Sequence, residues 1–293
     1  MRILFPYLCL LGLAACCVAP LRADDHHEPL HNLIKVAPSY YSGAEPVGEE
    51  AFQKLAEMGV KYIVSVDGIR PNVELANKHG IRYIHIPVQY SGIDREQELK
   101  LIRAAKEIDQ PVYVHCHHGK HRGPAGMAIM CLAAGIFDKD DANKYLHGAG
   151  TSPEYKGLWR DINAFQMPDD QTELPALEEI AEIESIAAYM AEAERRFDDL
   201  HARLAEEKTL TEDEINQLNG EMLLLWELIR ESRRTVALDK DADEKLIMAF
   251  EKSDALLRKT RDDLKKVDSR ETWLGKLAEI KKDCKSCHAT FRN

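Results

Sequence analysis

The stretch Val112–Pro124 constrains the fold of this chain more than any other. A short β-branched run leads to Cys116, and a five-residue loop then leads to Arg122 and an apolar helical segment. A loop between a strand and a helix start can point its backbone N–H groups, together with the positive end of the helix dipole, at a phosphate-sized anion. The same field favours the thiolate of Cys116, and the guanidinium of Arg122 can bind two phosphate oxygens. The stretch therefore predicts an anion-binding loop that carries a reactive cysteine.

Strand-like and helical segments alternate regularly around this loop. Strands are predicted over residues 33–36, 61–66, 82–88 and 111–115, and helices over 49–58, 72–79, 94–108, 124–134, 139–147 and 153–165. Ser152 is the predicted N-cap of the last helix. Such alternation gives a largely parallel sheet with helices on both faces, and ligands bind at the carboxyl ends of its strands. We therefore predict an α/β domain over residues 33–167, with the Cys116 loop at that edge.

The sequence pattern changes after residues 168–173, whose composition is typical of a linker. Beyond them glycine is nearly absent, and apolar residues recur at steps of three and four, as in amphipathic helices. Four helices are predicted, starting near residues 175, 211, 242 and 270, and the second opens with the capping box Thr211-x-x-Glu214. Short polar connections make neighbouring helices antiparallel, so residues 174–293 are predicted to form an all-α four-helix bundle.

The last of these helices contains a second chemical motif. Cys284-Lys-Ser-Cys287-His288 has the Cys-x-x-Cys-His pattern of covalent c-type haem attachment. Both cysteines continue the apolar stripe of their helix, and His288 can ligate the haem iron from one side. A redox dithiol and half of a zinc site are the alternatives. The setting favours neither, because a redox pair normally opens a helix in a βαβ unit and zinc needs two more ligands.

The N-terminus has the composition of a bacterial export signal. Arg2 precedes an apolar stretch that ends in small residues and is followed by acidic ones. Two cleavage sites compete. An ordinary cut after Ala23 removes residues 1–23, and a lipoprotein cut removes residues 1–15 and leaves Cys16 as a lipid anchor. Residues 24–32 then form a polar leader, and we expect a periplasmic protein in either case.

Charge and hydropathy argue against a nucleic-acid partner and against a membrane span after the N-terminus. The formal net charge of −11 gives no reason to expect nucleic acid. No apolar run after the N-terminus approaches the roughly 20 residues that a membrane span needs.

Cys131, in the apolar helix after the loop, is expected to be a buried small hydrophobic residue. The chemistry of the chain is therefore expected at the Cys116 loop and at the motif of residues 284–288.

The loop also resembles a known signature. The spacing Cys-x5-Arg, with His115 before Cys116 and Gly119 inside the loop, resembles that of the protein-tyrosine and dual-specificity phosphatases. Residues 33–60 look like the start of atypical dual-specificity-like phosphatases of bacteria, plants and fungi, so the resemblance covers the whole α/β domain. It implies a phosphate-binding loop that is made of His117, His118, Gly119, Lys120, His121, Arg122 and Gly123.

The resemblance implies a mechanism as well. Cys116 would attack phosphorus to form a phosphocysteine, and Arg122 and the loop amides would hold the phosphate oxygens. An upstream aspartate would protonate the leaving oxygen. Asp94, on a loop between a predicted strand and a predicted helix, matches the position of that acid. It fits the N-cap of the helix equally well, and one aspartate can do both.

Two features of the loop depart from the common pattern. Gly123 stands where the family has Ser or Thr, whose hydroxyl helps the thiolate leave, so hydrolysis of the intermediate is affected more than phosphate binding. Lys120 and the three loop histidines make the loop basic, which suits a polyphosphorylated substrate, as in plant and fungal relatives that act on inositol pyrophosphates. The same histidines also fit a metal site, although that interpretation leaves the spacing of Cys116 and Arg122 unexplained.

The helical region resembles cytochrome c-prime, which has a haem motif in its final helix. The resemblance implies haem c as cofactor, with Cys284 and Cys287 as covalent attachment points and His288 as the proximal iron ligand. Met190, on the inward stripe of the first predicted helix, is the candidate for the opposite face of the iron. The alternative is a core methionine that does not bind iron. A homodimer through the bundle is compatible with this family.

Together these features predict an exported two-domain protein, in which a cysteine-dependent phosphatase-like domain is joined to a c-type cytochrome domain for electron transfer or for redox or gas sensing. Its partners would be a phosphorylated small molecule or phosphoprotein, and redox proteins at the haem. The alternative is a non-catalytic periplasmic cytochrome whose α/β domain only binds phosphate or a phosphorylated partner. A third interpretation is sulfur transfer at Cys116, as in rhodanese-like enzymes, against which Arg122 and Asp94 argue.

Overall fold

A five-stranded sheet lies at the centre of the first domain. The computed structural model describes residues 29–205, 209–239 and 241–291, so the predicted signal peptide, Cys16 and most of the polar leader lie outside the described residues. The strands are β1 (Ile34–Ala37), β2 (Tyr40–Ala44), β3 (Tyr62–Ser65), β4 (Arg82–His85) and β5 (Val112–Cys116). Their order in the sheet is β1-β2-β5-β3-β4, with β1 antiparallel to β2 and the other neighbours parallel.

Helices cover both faces of this sheet. They are α1 (Gly48–Glu57), α2 (Val73–Lys78), α3 (Arg95–Glu107), α4 (Arg122–Ala133), α5 (Lys139–Gly148) and α6 (Lys156–Ala164). Alternate side chains of β5 belong to different cores: Val112 and Val114 pack with α3 to α6, and Tyr113 packs with α1 and α2. This alternation is expected of a strand that is buried on both faces. The prediction of an α/β domain is confirmed.

Two local predictions in this domain were wrong. Strand β2 was missed, because Gly43 and the polar residues beside it hide a segment that pairs with β5 from Tyr40 to Ala44. Helix α6 begins at Lys156, so Ser152 is not its N-cap. The Ser152 hydroxyl accepts a hydrogen bond from the N–H of Glu154 instead, and closes a short turn before the helix.

The second region is helical, as predicted from its periodicity. It contains α7 (Ile186–Arg203), α8 (Glu212–Leu238), α9 (Glu244–Leu264) and α10 (Arg270–Phe291). Each helix contributes to one apolar core, through residues such as Leu200, Leu225, Leu257 and Trp273. The predicted capping box is present at the start of α8, where the Thr211 hydroxyl accepts from the Glu214 N–H and the Glu214 carboxylate accepts from the Thr211 N–H.

The first helix of this region is shorter than its pattern predicted. The periodic stretch starts near Pro175, but α7 begins at Ile186 after the N-cap Ser185. The preceding segment runs along the α/β domain, where Arg103 donates to the carbonyls of Leu174 and Pro175. These tertiary hydrogen bonds satisfy backbone groups that would otherwise favour a helix.

Helix α8 packs against both regions. Leu223 is fully buried and belongs to the core of the α/β domain, whereas Met222 and Leu225 belong to the helical core. The interface brings the polar side of α8 to the carboxyl edge of the sheet. Within the described residues, none of the helices has the length and apolarity to cross a membrane.

Candidate functional site

The Cys116 loop lies at the carboxyl edge of the parallel strands. Cys116 is the last residue of β5, beside Ala44 at the end of β2, and α4 begins at Arg122. Both side chains are buried, with Cys116 2% and Arg122 1% exposed. The predicted strand, loop and helix therefore form as expected, at the edge where open parallel sheets bind ligands.

Groups outside the loop hold its carbonyls. The His117 carbonyl accepts from the Glu45 N–H at 3.2 Å, and the His118 carbonyl accepts from the Asn32 side chain at 2.8 Å. The Lys120 carbonyl accepts from the Thr151 hydroxyl at 2.8 Å. In the described part of the chain, the backbone N–H groups of residues 117–121 donate no hydrogen bond to protein. Carbonyls tied outwards and free N–H groups are the features of an anion-binding loop.

Gly119 permits the path of this loop. Its φ is +68°, a left-handed conformation that other residues adopt only with strain. A Cβ at this position would lie 2.2 Å from the carbonyl carbon of Gly43 and 2.5 Å from the nitrogen of Ala44. The loop therefore crosses the end of β2 so closely that only glycine fits.

Gly123 stands directly beside the cysteine. A Cβ at residue 123 would lie 3.1 Å from the backbone nitrogen of Cys116 and 3.4 Å from its Sγ. A Ser or Thr hydroxyl on that Cβ would be next to the sulfur. With glycine at this position, the Cys116 sulfur has no hydroxyl from residue 123 beside it. This is how the site differs from the family pattern, which has Ser or Thr there.

Arg122 is held by acceptors from three parts of the chain. Its Nη2 donates to the Asp67 carboxylate at 3.1 Å and to the Tyr90 hydroxyl at 3.1 Å, and its Nη1 donates to the Val88 carbonyl at 3.4 Å. Glu231 of α8 accepts from Nη2 at 3.3 Å and from Nη1 at 3.5 Å. The Nε of Arg122 is buried without a hydrogen-bond partner among the described residues. One donor of the guanidinium is thus free for an anion.

Asp67 anchors this arrangement and was not predicted. It follows β3, is 2% exposed, and accepts from both terminal nitrogens of Arg234 of α8, at 2.9 and 2.8 Å. Burial alone would raise the pKa of Asp67, but Arg122 and Arg234 lower it well below its usual value. Its position after a strand that ends at the same edge as β5 is the sequence signal that could have identified it.

Asp94 occupies the N-cap of α3. Its carboxylate accepts from the Gln97 N–H at 2.8 Å, and the Gln97 side chain accepts from the Asp94 N–H at 3.0 Å. The side chain is exposed. Asp67, and not Asp94, is therefore the aspartate that contacts Arg122 in this conformation, and the acid role of Asp94 stays a prediction.

The loop histidines carry less charge than their number suggests. Burial and the adjacent Arg122 lower the pKa of His121 to about 4. Partial burial, His117 and Arg230 lower the pKa of His118 to about 4. Both side chains are therefore neutral near pH 7, and the positive charge of the loop comes from Lys120, which is exposed, and from Arg122.

The haem-motif residues line a separate cavity in the helical region. This cavity of about 420 Å³ is lined by Cys284, Cys287 and His288 from α10, and by Met190 from α7. Most of its other lining residues are apolar, as Phe250 is, and Glu194 and Ser253 are the polar ones. Burial raises the pKa of Cys284 and of Cys287, and Asp283 adds to the effect. The cavity therefore combines two thiols, an imidazole and a thioether within largely apolar walls, which is a donor set that suits an iron porphyrin.

A match to a family model covers the first site. Residues 38–135 match the family model described as "Tc-R-P: Polymorphic toxin system, DSP-PTPase phosphatase". No curated protein matches the chain significantly.

Among solved structures, the chain is similar to TpbA of P. aeruginosa, with 22% identity over 46% of this chain and 86% of that chain and a TM-score of 0.41. It is similar to the core catalytic domain of the PP-IP phosphatase SIW14 of S. cerevisiae, with 19% identity over 49% and 89% and a TM-score of 0.42. It is also similar to a variant of human DUSP28, with 22% identity over 45% and 92% and a TM-score of 0.36.

The sheet order, the cysteine at the end of β5 and the free N–H groups before Arg122 together form an anion-binding loop next to a buried cysteine. The family match supports a phosphatase-like domain of the dual-specificity and protein-tyrosine class over residues 38–135. The predicted resemblance of the first domain is thus confirmed at the level of the class. The cytochrome c-prime resemblance stays a prediction.

Proposed function

We propose that the protein is a cysteine-dependent phosphatase that acts through a phosphocysteine. The bond between the Cys116 sulfur and phosphorus forms as the bond from phosphorus to the leaving oxygen breaks, and that oxygen takes a proton from Asp94. Water then cleaves the sulfur–phosphorus bond and releases inorganic phosphate. The observation that carries the proposal is the set of free N–H groups between Cys116 and Arg122, which would hold the phosphate oxygens.

The roles of the two aspartates follow from their surroundings. Asp67 stays ionised because two arginines bind it, so it has no proton to donate and can only position Arg122. Asp94 therefore remains the proposed acid. Its exposed N-cap position would let it turn towards a bound substrate, because a single hydrogen bond from Gln97 holds it.

The substrate that we propose is a phosphoprotein or a phosphorylated small molecule. Lys120 is an exposed cation of the loop and would bind a second phosphate group of a polyphosphorylated substrate. Because His118 and His121 are neutral, they would donate hydrogen bonds to such a group without adding positive charge.

Turnover of a small aryl phosphate by the full-length protein tests the proposal. We expect release of inorganic phosphate from wild type and none from Cys116→Ser. Cys131→Ala is the matched control, because Cys131 is the other cysteine of the domain and is buried in α4. It should keep the activity. Equal rates for wild type and Cys116→Ser would exclude Cys116 as the nucleophile.

For the helical region we propose a cytochrome c-prime-like four-helix bundle that carries haem c. Cys284 and Cys287 would hold the porphyrin covalently, and His288 and Met190 would be the candidate ligands of its iron. The proposal is supported by the cavity that these four residues share. Haem held there would supply one-electron redox chemistry or gas binding. Covalent haem attachment outside the cytoplasm makes export part of the proposal, with cleavage after Ala23 or lipidation at Cys16.

Expression in a host that attaches c-type haem tests this second proposal. Wild type should show covalently bound haem by absorbance after denaturation. The double variant Cys284→Ser and Cys287→Ser should show none, whereas Cys131→Ala should bind haem like wild type. A wild-type protein that is free of haem in such a host would contradict the assignment.

Gly123 favours a second candidate function for the first site, namely binding of phosphate or of a phosphorylated partner without turnover. The missing hydroxyl next to Sγ would leave the second step slow. Accumulation of a phosphocysteine that is not hydrolysed, detected by mass spectrometry, would support this candidate over a multiple-turnover phosphatase.

A further inference from the structure

One side of α8 meets the phosphate loop along its whole rim. Four residues at helical spacing form this side, which we call the polar face of α8: Glu227, Arg230, Glu231 and Arg234. Each of them contacts a different segment around the loop, and the partners are Tyr155, His118, Arg122 and Asp67, respectively. Arg234 also contacts Glu45 at the end of β2, at 3.6 Å. Helix α8 therefore contacts the loop itself and three of the segments around it.

Within this face, the Glu231 carboxylate occupies hydrogen-bond donors of Arg122 that a phosphoryl group would need. Its two oxygens accept from both terminal nitrogens of Arg122. Nη2 then has three acceptors, because Asp67 and Tyr90 also bind it. A phosphoryl group that binds Arg122 through two nitrogens needs a terminal nitrogen in addition to the free Nε. That nitrogen is already occupied.

Glu231 is not needed to orient Arg122. Asp67 and Tyr90 from the α/β domain already bind Nη2, and the Val88 carbonyl accepts from Nη1. A second carboxylate adds negative charge next to the position of a phosphate dianion, and like charges in a buried site repel each other strongly. Its presence therefore weakens phosphate binding by occupancy and by charge.

The cavity next to this contact stops at the same carboxylate. About 530 Å³ of space lies between the two regions, lined by Tyr90, Tyr189, Glu227 and Glu231 among others. Its lining contains neither Cys116 nor a residue of the loop 117–121, as far as the described residues extend. Glu231 and Tyr90 line this cavity and also bind Nη2 of Arg122.

We propose that α8 is an intramolecular cap on the phosphate site, in which Glu231 occupies the terminal nitrogens of Arg122 and must withdraw before a phosphoryl group binds. The inference rests on the proposed function for the identity of the anion. It goes beyond that function because it makes the helical region an inhibitor of the phosphatase-like domain.

Inorganic phosphate is the probe for the test, and its dissociation constant is measured by calorimetry on full-length protein. In Glu231→Gln the charge is lost while the shape is kept, and we expect phosphate to bind about tenfold more tightly than to wild type. Glu221→Gln is the matched control, because Glu221 lies on the same helix but pairs with Arg196, away from the loop. It should leave phosphate affinity unchanged. Unchanged or weaker phosphate binding by Glu231→Gln would overturn the proposal.

A second variant and a second assay keep the test decisive. If Glu231→Gln does not fold, as judged by circular dichroism, Glu231→Asp shortens the side chain and keeps the charge. It should also bind phosphate more tightly, and equal affinity to wild type would contradict the cap. Tighter phosphate binding without aryl phosphate turnover would retain the cap and reject the phosphatase. Turnover of the aryl phosphate together with unchanged phosphate affinity in the Glu231 variants would retain the phosphatase and reject the cap.

Discussion

The charge pairing around Asp67 gives the sharpest prediction for stability. In Asp67→Asn the buried carboxylate that Arg122 and Arg234 share becomes a neutral amide. Among the described residues, Arg122 then depends on Glu231 alone for a negative partner, whereas Arg234 keeps Glu231 and the more distant Glu45. Removing one partner from a buried ion pair costs about 3–5 kcal/mol, because the remaining charge stays desolvated. We expect a loss of that size in the free energy of unfolding.

Denaturation by urea at pH 7, followed by circular dichroism, measures this loss. Asp94→Asn is the matched control: the substitution is the same, but the side chain is an exposed N-cap, and Asn caps helices as well as Asp does, so the cost should stay below about 0.5 kcal/mol. A loss below about 1 kcal/mol in Asp67→Asn would refute the reasoning, because it would mean that the paired charges are solvated.

The pH dependence of the same comparison provides an independent check. The folded-state pKa of Asp67 lies well below its ordinary value of 3.8, so its contribution is present above that value and is lost as the pH falls towards the folded pKa. The difference in stability between wild type and Asp67→Asn should therefore be constant near neutral pH and narrow below pH 3.8. A difference that grows on acidification would contradict the assigned direction.

Three further predictions follow from the loop. Gly119→Ala should abolish phosphate binding in calorimetry, because its Cβ would lie 2.2 Å from a carbonyl carbon of β2 and its φ of +68° suits only glycine; binding like that of wild type would contradict the close approach. Gly123→Ser should speed the decay of a phosphocysteine in a chase experiment, because its hydroxyl would stand beside the Cys116 sulfur. An unchanged decay rate would remove the explanation offered for that glycine. Burial lowers the pKa of His115 from 6.5 to about 4 in the folded protein, so on acidification the unfolded chain binds a proton there before the folded protein does. The free energy of unfolding, measured in urea, should therefore fall between pH 6.5 and 4, and it should fall less in His115→Asn.

The predictable part of the fold was the part with a local cause. The spacing from Cys116 to Arg122 and the capping box at Thr211 each depend on neighbours in sequence, and both predictions agree with the structure. Strand β2 has no pattern of its own and forms because β1 and β5 offer hydrogen bonds on both sides. The segment before α7 has a helical pattern, but Arg103 and β4 bind its carbonyls in an extended path.

The site divides in the same way. The loop residues could be predicted because one contiguous stretch contains them. Asp67 and Glu231, in contrast, reach Arg122 from distant positions in the sequence, and Arg234 binds Asp67. Their charges offered no period or spacing that pointed to the loop. The apolar stripe of α8 predicts the helix and its packing. The polar face of the same helix has the same spacing and is the sequence signal for the contacts with the loop.

Helix α8 also decides where the molecule can be divided. The change in composition at residues 168–173 looks like a boundary between independent parts. Leu223, however, lies in the core of the α/β domain although it is far beyond that boundary, and its neighbour Met222 lies in the other core. A fragment that ends at the linker would expose the apolar surface that Leu223 covers and would leave Asp67 and Arg122 without Arg234 and Glu231. The two halves of the sequence are therefore distinct in pattern, but the first is not a separable piece of the folded protein.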